Sequence, residues 1–349
     1  MCKILMEELH GIGDVVCDLP RIKCITERFP DAQIDVLVKF GANRDIIRAS
    51  RLPVRDIYAL NVYSFRRETY EKIAALRRKR YDYLVLAPVT SVMKARVFRW
   101  LLNPVHVMGL QEHGIYADSL EDTLHFVDAG MKSVGGLEKK RDYSRKPQLY
   151  PAPEDVAKIK KSLQIKPDET PLVGVCIGDA DVSYRYPLVK QKPVFTKGWG
   201  YKNVMYLIKN LLQKNYCVAM IGGKMEKDRA QKIWKTLGEQ DYLFDFAGNT
   251  TLAESIALAS LCDCMVGVDT GMQHVAGALG VPTVSIFGPT NPQTHGAYAA
   301  NAHFVTVPEH LSCQFCYGTR NYVGCDNRRC LSGISVASVL EQIQHIVPN

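Results

Sequence analysis

Cys264-Met265-Val266-Gly267-Val268-Asp269-Thr270-Gly271-Met272-Gln273-His274-Val275-Ala276-Gly277-Ala278-Leu279-Gly280-Val281-Pro282-Thr283-Val284-Ser285-Ile286-Phe287-Gly288-Pro289-Thr290 reads as strand, turn, helix, strand and turn in immediate succession. Cys264 to Val268 and Thr283 to Phe287 are short apolar runs of the length of buried strands, and His274 to Leu279 between them has helical length and composition. Two buried strands joined by a helix make a parallel pair, the unit of an α/β sheet. The turn between the first strand and the helix is Asp269-Thr270-Gly271. A helix N-terminus exposes N–H groups and the positive end of a dipole, so a Thr-Gly turn there can cradle a phosphate. Gly271 lets a ligand approach the backbone closely. The plainer reading is an Asp or Thr N-cap opening an ordinary helix.

The same alternation extends through the chain. In the second half, strand Leu172 to Ile177, helix Tyr201 to Lys214, strand Cys217 to Ile221, helix Lys227 to Leu237 and helix Thr251 to Ser260 precede the quoted stretch. In the first half, strand Met1 to Met6 leads through Gly11-Ile12-Gly13-Asp14 into an amphipathic helix from about Val15 to Arg28. Strand Ile34 to Val38, helix Glu68 to Lys79 and strand Tyr83 to Leu86 follow. Between Lys139 and Pro171 the sequence turns charged and proline-spaced, which marks a linker around the helix Pro153 to Leu163. The expected organisation is an α/β chain of two doubly wound domains, 1–165 and 166–330. Two such domains facing one another leave a cleft at the carboxyl ends of their strands, where ligands of this architecture bind.

The 349 residues are 47% hydrophobic and 23% charged, which excludes disorder, collagen and coiled coil. The most apolar stretch, Val275 to Phe287, is too short for a membrane span and is broken by Pro282. The start turns acidic at Glu7-Glu8, unlike a signal peptide, so a soluble cytoplasmic protein is expected. The net charge of +8 is concentrated: residues 44–99 hold 14 Lys and Arg against 5 Asp and Glu, including Arg77-Arg78-Lys79-Arg80. Such a field favours an anionic partner, although basic runs are also common on solvated helix faces.

Taken together, Ala247-Gly248, Leu252, Glu254, Ala257, Cys262-Asp263, Asp269-Thr270-Gly271, His274, Ala276, Pro282-Thr283 and Phe287-Gly288-Pro289-Thr290 resemble glycosyltransferase family 9, the ADP-heptose:lipopolysaccharide heptosyltransferases. Gly11-Ile12-Gly13-Asp14, Pro20, Phe29-Pro30, Ala32 and Ile34-Asp35 resemble it independently. The resemblance implies a GT-B architecture of two Rossmann-like domains, the first for the acceptor and the second for the nucleotide sugar, with 331–349, where Leu331 and Ile334 resemble the start of the family's closing helix, as a closing C-terminal helix. It also implies inverting, metal-independent transfer of a heptose from ADP-heptose to a lipopolysaccharide core or similar acceptor.

By that resemblance Asp14 falls at the family's general base, and its local reading is a turn Asp capping the following helix. The diphosphate clamp falls on Asp269, Thr270, Gly271, Met272 and His274, and Lys197 in Lys197-Gly198-Trp199 matches a family lysine that meets phosphate in place of a metal. The chain departs from the pattern before it, with Ile177-Gly178-Asp179-Ala180-Asp181 and a longer insertion up to Lys197. Glu226 stands where relatives place a ribose-binding carboxylate, or is an exposed Glu at a helix start. Arg77, Arg78 and Arg80 are the candidates for an anionic acceptor.

Cys313, Cys316, Cys325 and Cys330 put four thiols within 18 residues, a set able to close a tetrahedral site for a structural zinc or iron; reduced thiols or two disulfides are the alternatives. No cofactor is expected for catalysis. The expected partners are an ADP-heptose donor and an anionic lipid-linked saccharide or protein acceptor, with no nucleic acid. Peripheral contact with the inner face of the plasma membrane is also expected. The alternatives are transfer of another nucleotide sugar, transfer to a protein such as an autotransporter adhesin, an epimerase of the same fold, and a sugar-nucleotide-binding protein on a degenerate scaffold.

Overall fold

A computed structural model of the chain describes residues 1–61, 67–88, 90–109, 124–134, 143–163, 170–178, 197–317, 325 and 327–349. The insertion at 179–196 and Arg66 lie outside the described residues. The chain divides into two compact units, Met1–Tyr150 and Pro151–Asn349.

The first unit runs β1 (Lys3–Glu8), α1 (Ile12–Arg28), β2 (Gln33–Val38), α2 (Asn43–Ala49), β3 (Asp56–Ala59), α3 (Arg67–Arg78), β4 (Tyr83–Val85), α4 (Val92–Leu102), β5 (His106–Met108) and α5 (Phe126–Ser133). Its sheet has the order β3-β2-β1-β4-β5, every pairing parallel. The order reverses between β1 and β4, so the loops leaving those two strands flank the crevice in which doubly wound sheets bind ligands. β1 starts and ends two residues later than the sequence suggests, and it can run through Glu7 and Glu8 because both acids are paired in the interior. Glu7 accepts from the Thr90 hydroxyl and the Ala87 N–H, and Glu8 pairs with the buried Arg21, which also meets Asp18 at 3.1 Å. A buried charge survives in a strand only when such partners are supplied.

The second unit runs α6 (Pro153–Leu163), β6 (Leu172–Cys176), α7 (Tyr201–Gln213), β7 (Cys217–Ile221), α8 (Lys227–Leu237), β8 (Leu243–Asp245), α9 (Leu252–Ser260), β9 (Cys264–Val268), α10 (Gly271–Leu279), β10 (Thr283–Ile286), α11 (Pro292–His295), β11 (Ala302–Val305), α12 (Arg329–Ser332) and α13 (Val336–Ile346). Its order is β11-β10-β9-β6-β7-β8, again parallel throughout, with the reversal between β6 and β9. Strands β6, β7 and β9 are buried along their whole length, as expected for a sheet with helices on both faces. The boundary expected at 165 falls one helix later than the one observed, since α6 packs on α9 and Lys158 pairs with Glu254 there. Helix α13 closes the second unit, burying Val339, Leu340 and Ile343 in its core.

Candidate active site

The best-defined group of polar residues lies at the carboxyl edge of the second sheet, beside the β6/β9 reversal. Helix α10 begins at Gly271, three residues earlier than its apolar spacing suggests, with Thr270 in the extended N-cap conformation. The Gly271 and Met272 N–H groups belong to a first turn, which has no carbonyl four residues back to bond. Thr270 Oγ1 is buried at this end and makes no hydrogen bond among the described residues. Asp269 is also buried there. Lys197 Nζ donates to its Oδ2 at 2.5 Å, and His274 Nε2 stands 3.9 Å from its Oδ1. Burial alone would raise the Asp269 carboxyl, but the charge of Lys197 and the contact with His274 outweigh it and hold the group well below the usual carboxylate range. The carboxylate therefore stays ionised and keeps the ammonium beside the open helix end.

Trp199 explains how a loop lysine is fixed so well. Its indole is buried in the core, and its Nε1 donates to the Ile334 carbonyl at 3.0 Å, just before α13. The Lys-x-Trp spacing thus anchors Lys197 two residues upstream. Tyr317 adds a ring whose centre lies 4.6 Å from Lys197 Nζ, and whose other neighbour is His295 at 5.7 Å between ring centres. Neither Tyr317 nor His295 stood out in the sequence, because only the folded chain brings them to Lys197.

Glu226 belongs to the same edge. It ends a single 3-10 turn after β7, its Oε2 accepts from the Gly223 N–H at 2.8 Å, and its side chain faces Gly178 at the end of β6. A Cβ at Gly222 would fall 2.7 Å from that of Glu226, so glycine is needed for this approach.

In the first unit, Asp14 lies in the first turn of α1, half-buried, and its Oδ2 accepts from the Gly11 N–H at 2.9 Å. The capping contact is therefore real. Close by in sequence, His10 stands 3.6 Å from Glu7 Oε1 and 3.4 Å from the Thr90 hydroxyl, while Asn43 donates to the His10 carbonyl at 3.0 Å. Burial pushes Glu7 up, yet its bonds to His10, Thr90 and Ala87 leave it below its ordinary value. This His10, Glu7 and Thr90 group flanks the β1/β4 reversal on the same edge as Asp14, and sequence patterning gave no sign of it.

Arg77, Arg78 and Arg80 lie elsewhere. Arg77 and Arg78 end α3 and Arg80 follows it, just before β4, which puts them at the amino edge of the first sheet, separated from the Asp14 edge by the length of β1, about 20 Å for six residues. The run is only partly solvated. Arg77 donates to the Trp100 and Leu101 carbonyls at the end of α4, and Lys79 is drawn to Asp35 and Asp56 at 3.1 and 3.0 Å.

All eleven cysteines are thiols, so two disulfides at the C-terminal set are not formed. Among the described residues no three His, Cys, Asp or Glu side chains are grouped closely enough to hold one ion. Burial, then the charges of Cys316, Cys325 and Cys313, push the Cys330 thiol up to about 11.

Residues 70–325 match the model of glycosyltransferase family 9 (heptosyltransferase). The chain belongs to glycosyltransferase family 9. It is 25% identical over 312 residues to lipopolysaccharide heptosyltransferase 2 of Salmonella typhimurium, covering 83% of this chain and 84% of that relative. Its fold matches that of ADP-heptose LPS heptosyltransferase II of E. coli with a TM-score of 0.71 at 20% identity, over 99% and 98% of the two chains. It also matches TibC of enterotoxigenic E. coli, an iron-containing dodecameric heptosyltransferase solved with ADP-D-β-D-heptose. There the TM-score is 0.57 at 14% identity, over 98% of this chain and 76% of that one. The family 9 protein is thus a glycosyltransferase of GT-B type, as the sequence resemblance implied, and the Lys197, Asp269 and α10 group sits where a doubly wound sheet binds its ligand.

Proposed function

We propose that this family 9 enzyme transfers a heptose from ADP-heptose to a lipid-linked saccharide, with inversion at the anomeric carbon. One observation carries the donor half: an ammonium held by a buried carboxylate beside an open helix N-terminus and a buried Thr270 hydroxyl. That combination suits a diphosphate and needs no metal for charge compensation. The Gly271 and Met272 N–H groups and the Thr270 hydroxyl bind phosphate oxygens, Lys197 and His274 take up charge as ADP leaves, and Glu226 meets the ribose hydroxyls.

Asp14 accepts the proton of the acceptor hydroxyl. The resulting oxygen attacks the anomeric carbon as the bond from that carbon to the phosphate oxygen breaks, and the electron pair departs with ADP. The first unit carries the acceptor and the second the donor. Because Arg77, Arg78 and Arg80 stand at the far edge of their sheet, they meet the anionic surroundings of the acceptor rather than its reacting sugar. A cytoplasmic-side location fits a nucleotide-sugar donor, and no helix among the described residues is long and apolar enough to cross a membrane. Thermal shift against a panel of nucleotide sugars tests the donor. ADP-heptose at 100 times its dissociation constant should add about 2.7 kcal/mol, while a larger response to a UDP- or GDP-sugar would reject the assignment.

The cysteine set is proposed as a structural metal knot. The four thiols have the donor count of a tetrahedral sulfur site, which metal binding would have to draw together, and a bound cation would stabilise the Cys330 thiolate that burial, ahead of the neighbouring thiols, disfavours. Cys316 adjoins Tyr317, so a closed knot would also steady the ring against Lys197. Elemental analysis should find about one zinc or iron per chain, and Cys313→Ser should lower Tm more than it alters turnover of the folded enzyme. Metal-free protein of equal Tm with four titratable thiols at these positions would contradict it.

A further inference from the structure

Helix α4 is apolar on two opposite faces. Ala95, Phe98 and Leu102 are buried in the core of the first unit with Leu76, Leu84 and Leu86. On the other side Met93, Val97 and Trp100, spaced i, i+4 and i+7, form one stripe, and they are 78%, 47% and 74% exposed. Val105, 69% exposed, continues it just beyond the helix. Single exposed apolar residues are ordinary, whereas an aligned stripe on the solvent side of a surface helix is not.

The charge around the stripe has one sign. Lys94, Arg96 and Arg99 flank it on α4, which contains no acid. Arg77 joins it at the C-terminal end of the helix by donating to the Trp100 and Leu101 carbonyls at 3.2 Å, with Arg78 and Arg80 following in exposed positions. The nearest acid in sequence, Asp82, accepts from the Lys3 N–H at 2.7 Å at the start of β1, and Glu68 and Glu71, in the first turns of α3, are paired with Lys72 and Arg67.

We propose that this face of α4 docks on an anionic lipid bilayer, with Met93, Val97 and Trp100 entering the interface and the surrounding arginines meeting lipid phosphates. An amphipathic helix with an apolar face, cationic flanks and a tryptophan has the chemistry of interfacial binding. A second copy of the chain is a poorer occupant, since a two-fold contact would set Arg96 and Arg99 against their own counterparts. The placement also suits the lipid-linked acceptor, and in this respect alone it rests on the function proposed above. Ser91 caps the start of α4, and the preceding Thr90 donates to Glu7 on the edge that carries Asp14. A bilayer along α4 would therefore hold the lipid while its sugar reaches that edge.

The test is sedimentation of the full chain, without donor or acceptor, with phosphatidylcholine vesicles containing or lacking phosphatidylglycerol. Binding should require the anionic lipid and fall as salt rises from 0.1 M to 1 M, where the Debye length drops from about 10 Å to about 3 Å. The triple change Met93→Ser, Val97→Ser, Trp100→Ser should lower vesicle affinity at least about tenfold while turnover on a water-soluble, delipidated acceptor stays unchanged. All three residues are exposed, so the variant should fold. Absence of vesicle binding, binding unaffected by the triple change, or a concentration-dependent dimer abolished by it would overturn the proposal. Because vesicle binding is read without transfer, its failure leaves the heptosyltransferase reading standing, and failure of transfer leaves the docking result standing.

Discussion

Asp14→Asn should lose at least about 10²-fold in turnover while keeping the fold and the affinity for ADP. The substitution separates the capping role seen at this position from the proposed role as base. The Asn carbonyl can still accept the Gly11 N–H bond, so the cap at the start of α1 is retained. Loss of the negative charge near the helix N-terminus costs only about 0.3 to 1 kcal/mol. Proton acceptance is removed outright. Because the proposed donor contacts all lie in the second unit, ADP binding by calorimetry should not move. Turnover that survives in Asp14→Asn would make the residue a helix cap and nothing more, and the group of His10, Glu7 and Thr90 would be the next place to seek the base.

Lys197→Ala should weaken ADP binding and slow transfer together. A hydrogen bond to a charged group contributes about 1.5 to 3 kcal/mol, so the loss in ADP affinity should be about 10- to 10²-fold. The decrease in kcat/KM should be larger, because charge grows on the diphosphate as the sugar leaves. The deletion also leaves Asp269 buried without its principal cation. Lys197→Arg keeps the charge and should recover part of the affinity.

A pH signature accompanies it. Asp269 is depressed in the folded state, so its ion pair contributes stability that is present above the unfolded aspartate value of about 3.9 and is lost as pH falls toward the folded value. In Lys197→Ala this acid-side dependence should shrink. Unchanged ADP affinity would instead leave Lys197 as a partner of Asp269 with no part in binding.

The strands were legible where burial on both faces made continuous apolar runs, as at Cys264 to Val268 and Cys217 to Ile221. The three-residue strands β5 and β8 lack the apolar run that revealed the equally short β4. Glu7 and Glu8 hid the end of β1, since their partners Arg21 and Thr90 are distant in sequence. Helix α4 escaped notice for another reason: apolar residues on both its faces cancel the periodicity that reveals an amphipathic helix. In the candidate site, Asp14, Asp269, Thr270 and Gly271 were singled out because short motifs carry them. The insertion before Lys197 obscured its register, and the bond from Trp199 to Ile334 that fixes the loop spans 135 residues. Arg77, Arg78 and Arg80 were grouped by charge alone, and charge says nothing about which edge of a sheet a residue occupies.

The central claim is that the group of Lys197, Asp269 and the start of α10 holds ADP-heptose for transfer from the diphosphate to a saccharide hydroxyl. Its most direct test is mass spectrometry and NMR of a lipid-linked core saccharide incubated with the enzyme and ADP-heptose, without added divalent cation, with ADP measured in parallel. The account predicts addition of one heptosyl residue per ADP released, in inverted configuration and no faster when magnesium is supplied. ADP release without glycosylated product, or product formed only from a different nucleotide sugar, would contradict it.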